Sequence, residues 1–169
     1  MENERLEELL MRQIKIVYKY LIKIGVQVED AEDIIQDTLC KAISYIDAID
    51  EEKISSWLFK VALNKYYNLY KKKKRKKQIY LDDEVIANLV VDNSAEFYII
   101  SSELKDTVQK VLNSLKESYK NLLIFKYVIN LSYKEIGNIL DMKEDKVKVY
   151  LYRARNKFKE LWEDCGDVK

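Results

Sequence analysis

From Leu6 to Ile24 the apolar positions Leu6, Leu9, Leu10, Ile14, Val17, Leu21 and Ile24 return every three or four residues, and Gly25 stands where such a segment ends. That spacing lays a single apolar stripe along a helix. It resumes at Ala31, Ile34, Ile35, Leu39, Ala42, Ile43 and Ile46, predicting a second helix from about Asp30, whose acidic first turn suits the positive end of the helix dipole. Leu58, Val61, Ala62, Tyr66 and Leu69 predict a third helix beginning near Trp57, with Ser55 or Ser56 available as its cap. Helical spacing returns at Leu104, Val108, Val111, Leu112 and Leu115, and the apolar block from Leu122 to Val128 predicts the core helix of a second bundle.

The sharpest local signal is Leu131-Ser132-Tyr133-Lys134-Glu135-Ile136. Ser132 and Glu135 have the spacing of a reciprocal capping box, so a helix starts here. It points Ile136, Ile139 and Leu140 inward, is interrupted by Asp141-Met142-Lys143, and is followed by a longer helix with Val147, Leu151, Ala154, Phe158 and Leu161 inside. Lys146, Lys148, Tyr150, Arg153 and Arg155 project outward from that second helix, donors and an aromatic suited to phosphates and major-groove base edges. A cationic amphipathic surface helix is the bland alternative, but the capping box and short turn in tandem favour a helix-turn-helix.

Composition sharpens the fold class. The 169 residues include no proline and three glycines, too few for the turns of sandwiches and barrels, so an all-α chain of two small helical domains is expected. The opening Met1-Glu2-Asn3-Glu4-Arg5 is no basic leader, and no apolar run approaches the ~18 residues of a membrane span, so a cytoplasmic location is expected. Cys40 and Cys165 are far apart and belong to no CxxC spacing, which argues against a disulfide framework or zinc site. Histidine is absent, removing the commonest general base, so neither enzymatic activity nor a metal or cofactor is expected.

The net charge of +1 conceals segregation. Glu32, Asp33, Gln36 and Asp37 make an acidic face on the second helix, which solvation alone could explain. Lys65, Lys71 to Lys74, Arg75, Lys76 and Lys77 are eight basic residues uninterrupted by an acidic one. Trp57, Phe59, Tyr66, Tyr67 and Tyr70 beside them supply faces on which unpaired bases can stack while the cations neutralise phosphate, although Tyr66 also fits the core. The charge then reverses: Asp82, Asp83, Glu84, Asp92, Glu96, Glu103 and Asp106 stand against Lys105 alone between 82 and 106. This is an acidic flexible linker whose Leu81, Val85, Ile86, Leu89, Val90 and Val91 can still contact a partner or neighbouring domain.

Taken in order, Asp30-Ala31-Glu32-Asp33-Ile34-Ile35-Gln36-Asp37, Trp57-Leu58-Phe59-Lys60-Val61-Ala62-Leu63-Asn64, Leu131 to Ile136, Val147-Lys148 and Tyr152-Arg153-Ala154-Arg155 resemble the extracytoplasmic-function sigma factors of bacterial RNA polymerase. The resemblance covers nearly the whole chain. It implies a region 2 domain over 1–77, a linker over 78–104 and a region 4 domain over 105–169. By resemblance, Glu32, Asp33, Gln36 and Asp37 dock on core RNA polymerase. Trp57, Asn64, Lys65, Asn68, Tyr70 and Lys72 meet the minus-ten element, Asn64 helping to hold a flipped base. Ser132, Tyr133, Lys146, Lys148, Tyr150 and Arg153 meet the minus-thirty-five element.

The resemblance further implies promoter DNA, duplex and melted, as ligand and an external anti-sigma protein as regulator, in some cases membrane-anchored. The sequence departs from the family at Leu63, where arginine is frequent, at Asn68, where aspartate is common, and at Asp141, where glycine is usual. Val149 and Tyr150 stand in place of common serine and arginine, so base preference does not carry over. Two other readings fit parts of the chain: a stand-alone helix-turn-helix regulator, and a helical protein-interaction module.

Overall fold

The computed structural model describes residues 2–73, 79, 81–90 and 102–166, which are helical with short connections. They divide into two compact units, Met1–Gln78 with Gly137–Lys143 and Ile79–Ile136 with Glu144–Lys169.

Helix α1 (Glu2–Lys23) buries Leu10, Ile14, Val17 and Leu21 as its stripe requires. It also buries Tyr20, whose ring meets Phe59 edge-on at 5.5 Å between centroids. Gly25 ends it at φ 89°, donating its N–H to the Ile22 carbonyl while Val26 N–H reaches the Leu21 carbonyl, both at 3.0 Å. This paired closure needs a left-handed residue, which glycine supplies without a Cβ clash.

Helix α2 (Val28–Ser44) starts two residues before the expected Asp30 and buries Ala31, Ile34, Thr38 and Ala42. Ile43, expected inside, is 67% exposed. The inward line is set by 31, 34, 38 and 42, and residue 43 is turned about 100° away from its last member. Thr38 is admitted to the core because its hydroxyl donates to the Ile34 carbonyl at 2.7 Å.

Helix α3 (Ile54–Lys73) begins three residues before Trp57, and neither serine caps it. A 3₁₀ turn, Glu51–Lys53, leads into it, capped by Asp50, whose carboxylate accepts Glu52 N–H at 3.1 Å. The chain is thus already helical at Ser55, and Ser56 instead donates its hydroxyl to the Lys53 carbonyl at 3.0 Å. Leu58, Phe59, Ala62 and Tyr66 face the core, and α1, α2 and α3 all pack on one another.

In the second unit the linker stretch is partly helical. Helix α4 (Asp83–Val90) buries Val85 and Ile86 and packs against α5 (Ser102–Ser114) and a π-helical turn, Ile124–Val128. Residues 91–101 of the linker lie outside the described residues. Helix α6 (Glu117–Leu123) runs into that π turn, which Asn130 closes in the left-handed region at φ 61°. Leu122, Leu123, Ile124 and Phe125 are buried, as the apolar block predicts.

Helix α7 (Tyr133–Leu140) and helix α8 (Glu144–Gly166) follow; α8 packs on α5 and α6 and buries Val147, Leu151, Ala154 and Phe158. Each such apolar side chain stabilises the fold by about 1.5–3 kcal/mol when fully buried, smaller alanine excepted. Among the described residues no helix is long and apolar enough to cross a membrane.

Candidate polymerase and nucleic-acid surfaces

On α2 the side opposite the buried line carries Glu32, Asp33, Gln36 and Asp37, all exposed. Asp37 is set apart from the others by an ion pair with Lys65 of α3. The Lys65 ammonium, through its hydrogen bond and then its charge, holds the Asp37 carboxyl below its ordinary value. One residue of the expected polymerase face and one of the expected minus-ten face are therefore joined.

Down α3, Trp57, Asn64 and Asn68 are separated by seven and four residues and so line up on one side of the helix. Both asparagines are exposed and Trp57 is half-buried. Tyr70 lies on the other side: its ring is 4.5 Å from that of Tyr66, and its hydroxyl donates to the Gly25 carbonyl at 3.5 Å. Phe59 and Tyr66, expected among the faces for unpaired bases, are buried on the inward arc of α3, Phe59 against Tyr20 of α1. The Lys72 side chain and the tract at 74–77 lie outside the described residues.

The helix-turn-helix signal is realised atom by atom. Glu135 Oε2 accepts Ser132 N–H at 2.9 Å and the Ser132 hydroxyl at 2.8 Å, while Ser132 Oγ accepts Glu135 N–H at 3.2 Å. Asp141 ends α7 at φ 51°, and Met142 N–H reaches the Gly137 carbonyl at 2.9 Å, the closure that Gly25 gives α1. Aspartate replaces the usual turn glycine at a modest penalty because its short polar side chain tolerates the left-handed region.

On α8 the cations are held over aromatic rings. Tyr150 lies between Lys146, 5.8 Å from its ring, and Arg153, 5.7 Å from it. Lys148 is 5.7 Å from the ring of Tyr133, which Lys126 also approaches at 4.7 Å. Lys148 Nζ further pairs with Glu144 at 3.2 Å and Asp145 at 3.5 Å, and Glu144 above all raises its pKa. Exposed pairs of this kind are weak, so they orient Lys148 and leave it able to exchange a carboxylate for a phosphate. Lys126 and Tyr127 give no signal of their own along the chain because they lie inside the apolar block. Lys126 donates to the Leu131 carbonyl at 3.2 Å, and Tyr127 hydroxyl accepts from Arg155 at 3.3 Å.

Ser132, Tyr133, Lys146, Lys148, Tyr150 and Arg153 thus lie at the start of α7 and along α8, with Tyr133 and Lys148 in direct contact. Among the described residues no group of three or more His, Cys, Asp and Glu side chains could hold a metal.

Comparison with known proteins follows the same two surfaces. Sigma-70 region 2 matches residues 9–76, which contain α2 and α3, and sigma-70 region 4 matches residues 105–158, which contain α7 and most of α8. The ECF RNA polymerase sigma factor SigW of Bacillus subtilis is 30% identical over 88% of this chain and 83% of its own length. SigM of the same organism is 29% identical over 93% and 94%. The fold is shared with CnrH, solved with the cytosolic domain of CnrY, at a TM-score of 0.57, 22% identity and coverage of 96% of this chain and 90% of that one. It is shared also with RpoE of Bartonella quintana, solved with the anti-sigma factor NepR, at a TM-score of 0.52, 24% identity and coverage of 95% and 98%. This chain belongs to the extracytoplasmic-function group of the sigma-70 family.

Proposed function

We propose that the chain works in the cytoplasm as an alternative sigma factor whose region 2 spans 1–77 and region 4 spans 105–169, joined by the acidic linker at 78–104. It binds core RNA polymerase through the face of Glu32, Asp33, Gln36 and Asp37. The α3 line of Trp57, Asn64 and Asn68, with Lys65 and Lys72, receives the minus-ten element, and Tyr70 holds α3 against Gly25. Pulling a base out of the stack costs a few kcal/mol, which an indole face and amide hydrogen bonds can return. Helix α8 lies in the major groove of the minus-thirty-five element, Lys146, Lys148, Tyr150 and Arg153 facing DNA, with Ser132 and Tyr133 near the phosphates. The polymerase performs the chemistry and this chain is not itself an enzyme. The observation that supports this most is one chain carrying an amide-and-indole line on its region 2 helix and a tyrosine-braced cation line on its region 4 helix. An anti-sigma protein is its regulator, as NepR accompanies RpoE.

Run-off transcription by core polymerase on fragmented host DNA tests the reading. New specific transcripts are expected when this protein is added. Folded protein that binds duplex DNA but yields none would leave a stand-alone regulator. Replacing Asp33 by lysine is the cleanest probe of docking, because Asp37 is also tied to Lys65. Like-charge juxtaposition costs several kcal/mol, so core binding weakens by at least about tenfold; unchanged affinity would remove α2 from the docking surface.

A further inference from the structure

At about 100° per residue, the buried side chains Val147, Leu151, Ala154 and Phe158 define the inward direction of α8, and Val149 lies diametrically opposite. It is 48% exposed, an apolar side chain at the outermost point of the helix. Around it stand Lys146 and Arg153, the exposed carboxylate of Asp145 one turn before, exposed Tyr152 one turn after, and Asn156 two turns on. Two cations against one carboxylate leave the patch positive on balance, which favours an anionic partner over an ordinary apolar protein groove. In the major groove of duplex DNA the apolar feature on the base edges is the C5-methyl group of thymine. Valine neither donates nor accepts a hydrogen bond, so a base edge facing it is distinguished by that methyl group alone.

We propose that Val149 is a specificity-determining residue which selects thymine at one position of the minus-thirty-five element by packing on its C5-methyl group. The inference rests on α8 being the duplex reader. Arg153 and Lys146, braced on Tyr150, fix the register of the helix, and Val149 excludes polar base edges from the point it covers.

The test uses holoenzyme assembled from core polymerase and the full chain, with promoters randomised across the upstream element. Binding is then measured on the enriched sequence with each thymidine replaced in turn by 2′-deoxyuridine, which lacks only the methyl group. One replacement should weaken wild-type binding by about fourfold, the ratio expected for one buried methyl group. Val149→Ala should bind the thymidine and deoxyuridine forms of that site equally. Because the readout compares two DNAs on one protein, any general loss of affinity in the variant cancels. An enriched element with no methyl-sensitive thymine, or a sensitivity that survives in Val149→Ala, overturns the assignment of Val149. A library from which no upstream element is enriched overturns the reading of α8, and this inference with it.

Discussion

Helices α3 and α8 have similar lengths, 20 and 23 residues, and each presents a largely polar face away from its own core, but they differ in how much positive charge they leave beside aromatic rings. On α8, Lys146 and Arg153 lie beside the ring of Tyr150, which orients them without neutralising them, while Lys148 lies beside Tyr133 and also pairs with Glu144 and Asp145. On α3, the outward face carries an indole, two amides and the exposed Lys60, and the neighbouring Lys65 is held by the Asp37 carboxylate. Duplex DNA presents paired bases inside a cage of phosphates, so a reader needs standing positive charge. A melted strand presents base faces and unpaired edges, which flat rings and amides recognise without charge.

That contrast predicts different sensitivities, the largest at α8. Lys148→Ala and Arg153→Ala should each weaken binding to duplex minus-thirty-five DNA by about 1–3 kcal/mol, and a variant that no longer neutralises its phosphate should show a salt slope smaller by about one. Trp57→Ala should leave duplex binding untouched and weaken capture of a pre-melted minus-ten template by about 1–3 kcal/mol with little change in salt slope. Fluorescence anisotropy over a range of salt concentrations on the two templates reads both. A Trp57→Ala variant with the steeper loss of salt dependence would erase the distinction between the helices.

Smaller effects come from the left-handed residues beside each reader. Gly25 receives the Tyr70 hydroxyl of α3, and Asp141 closes α7 three residues before α8 begins. Gly25→Ala places a Cβ at φ 89° and should destabilise the protein by about 1–2 kcal/mol. Asp141→Gly removes a milder penalty at φ 51°, partly offset by the extra freedom of glycine in the unfolded chain, and should stabilise by less than about 1 kcal/mol. Urea unfolding measures both. Opposite signs are the expected result, and a destabilised Asp141→Gly would mean that the aspartate side chain stabilises the turn.

Periodicity and capping were legible from the residues wherever one local rule acted alone. Ser132 and Glu135 form the reciprocal hydrogen bonds their spacing predicts, and Gly25 and Asp141 end their helices. The stripe rule erred where tertiary packing decided: it placed Ile43 inside α2 and passed over Thr38, whose hydroxyl is satisfied by the Ile34 carbonyl. It could not foresee that a 3₁₀ turn would carry the chain into α3 ahead of the serines. Nor does any spacing within a helix reveal the Asp37 to Lys65 pair or the turning of Tyr70 toward Gly25, both of which join residues far apart in the chain.

The Asp37 to Lys65 pair gives the smallest and most discriminating effect. Lys65 holds the folded-state pKa of Asp37 below its ordinary value of 3.8, so the pair contributes stability above about pH 4 and loses it as acid titrates the carboxylate through the lowered value. Both side chains are well exposed, so Asp37→Asn should lower neutral-pH stability only slightly, and that small difference should disappear as acid protonates the wild-type carboxylate. Denaturant unfolding followed by circular dichroism at steps from pH 6 to pH 2 reads the difference between the two curves. If the curves superimpose, Asp37 does not restrain Lys65 in solution, and α3 then offers phosphate a standing cation as α8 does. If they differ slightly above about pH 4 and converge below it, the acidic face of α2 holds that charge back, and the difference between the two readers is built into the folded domain.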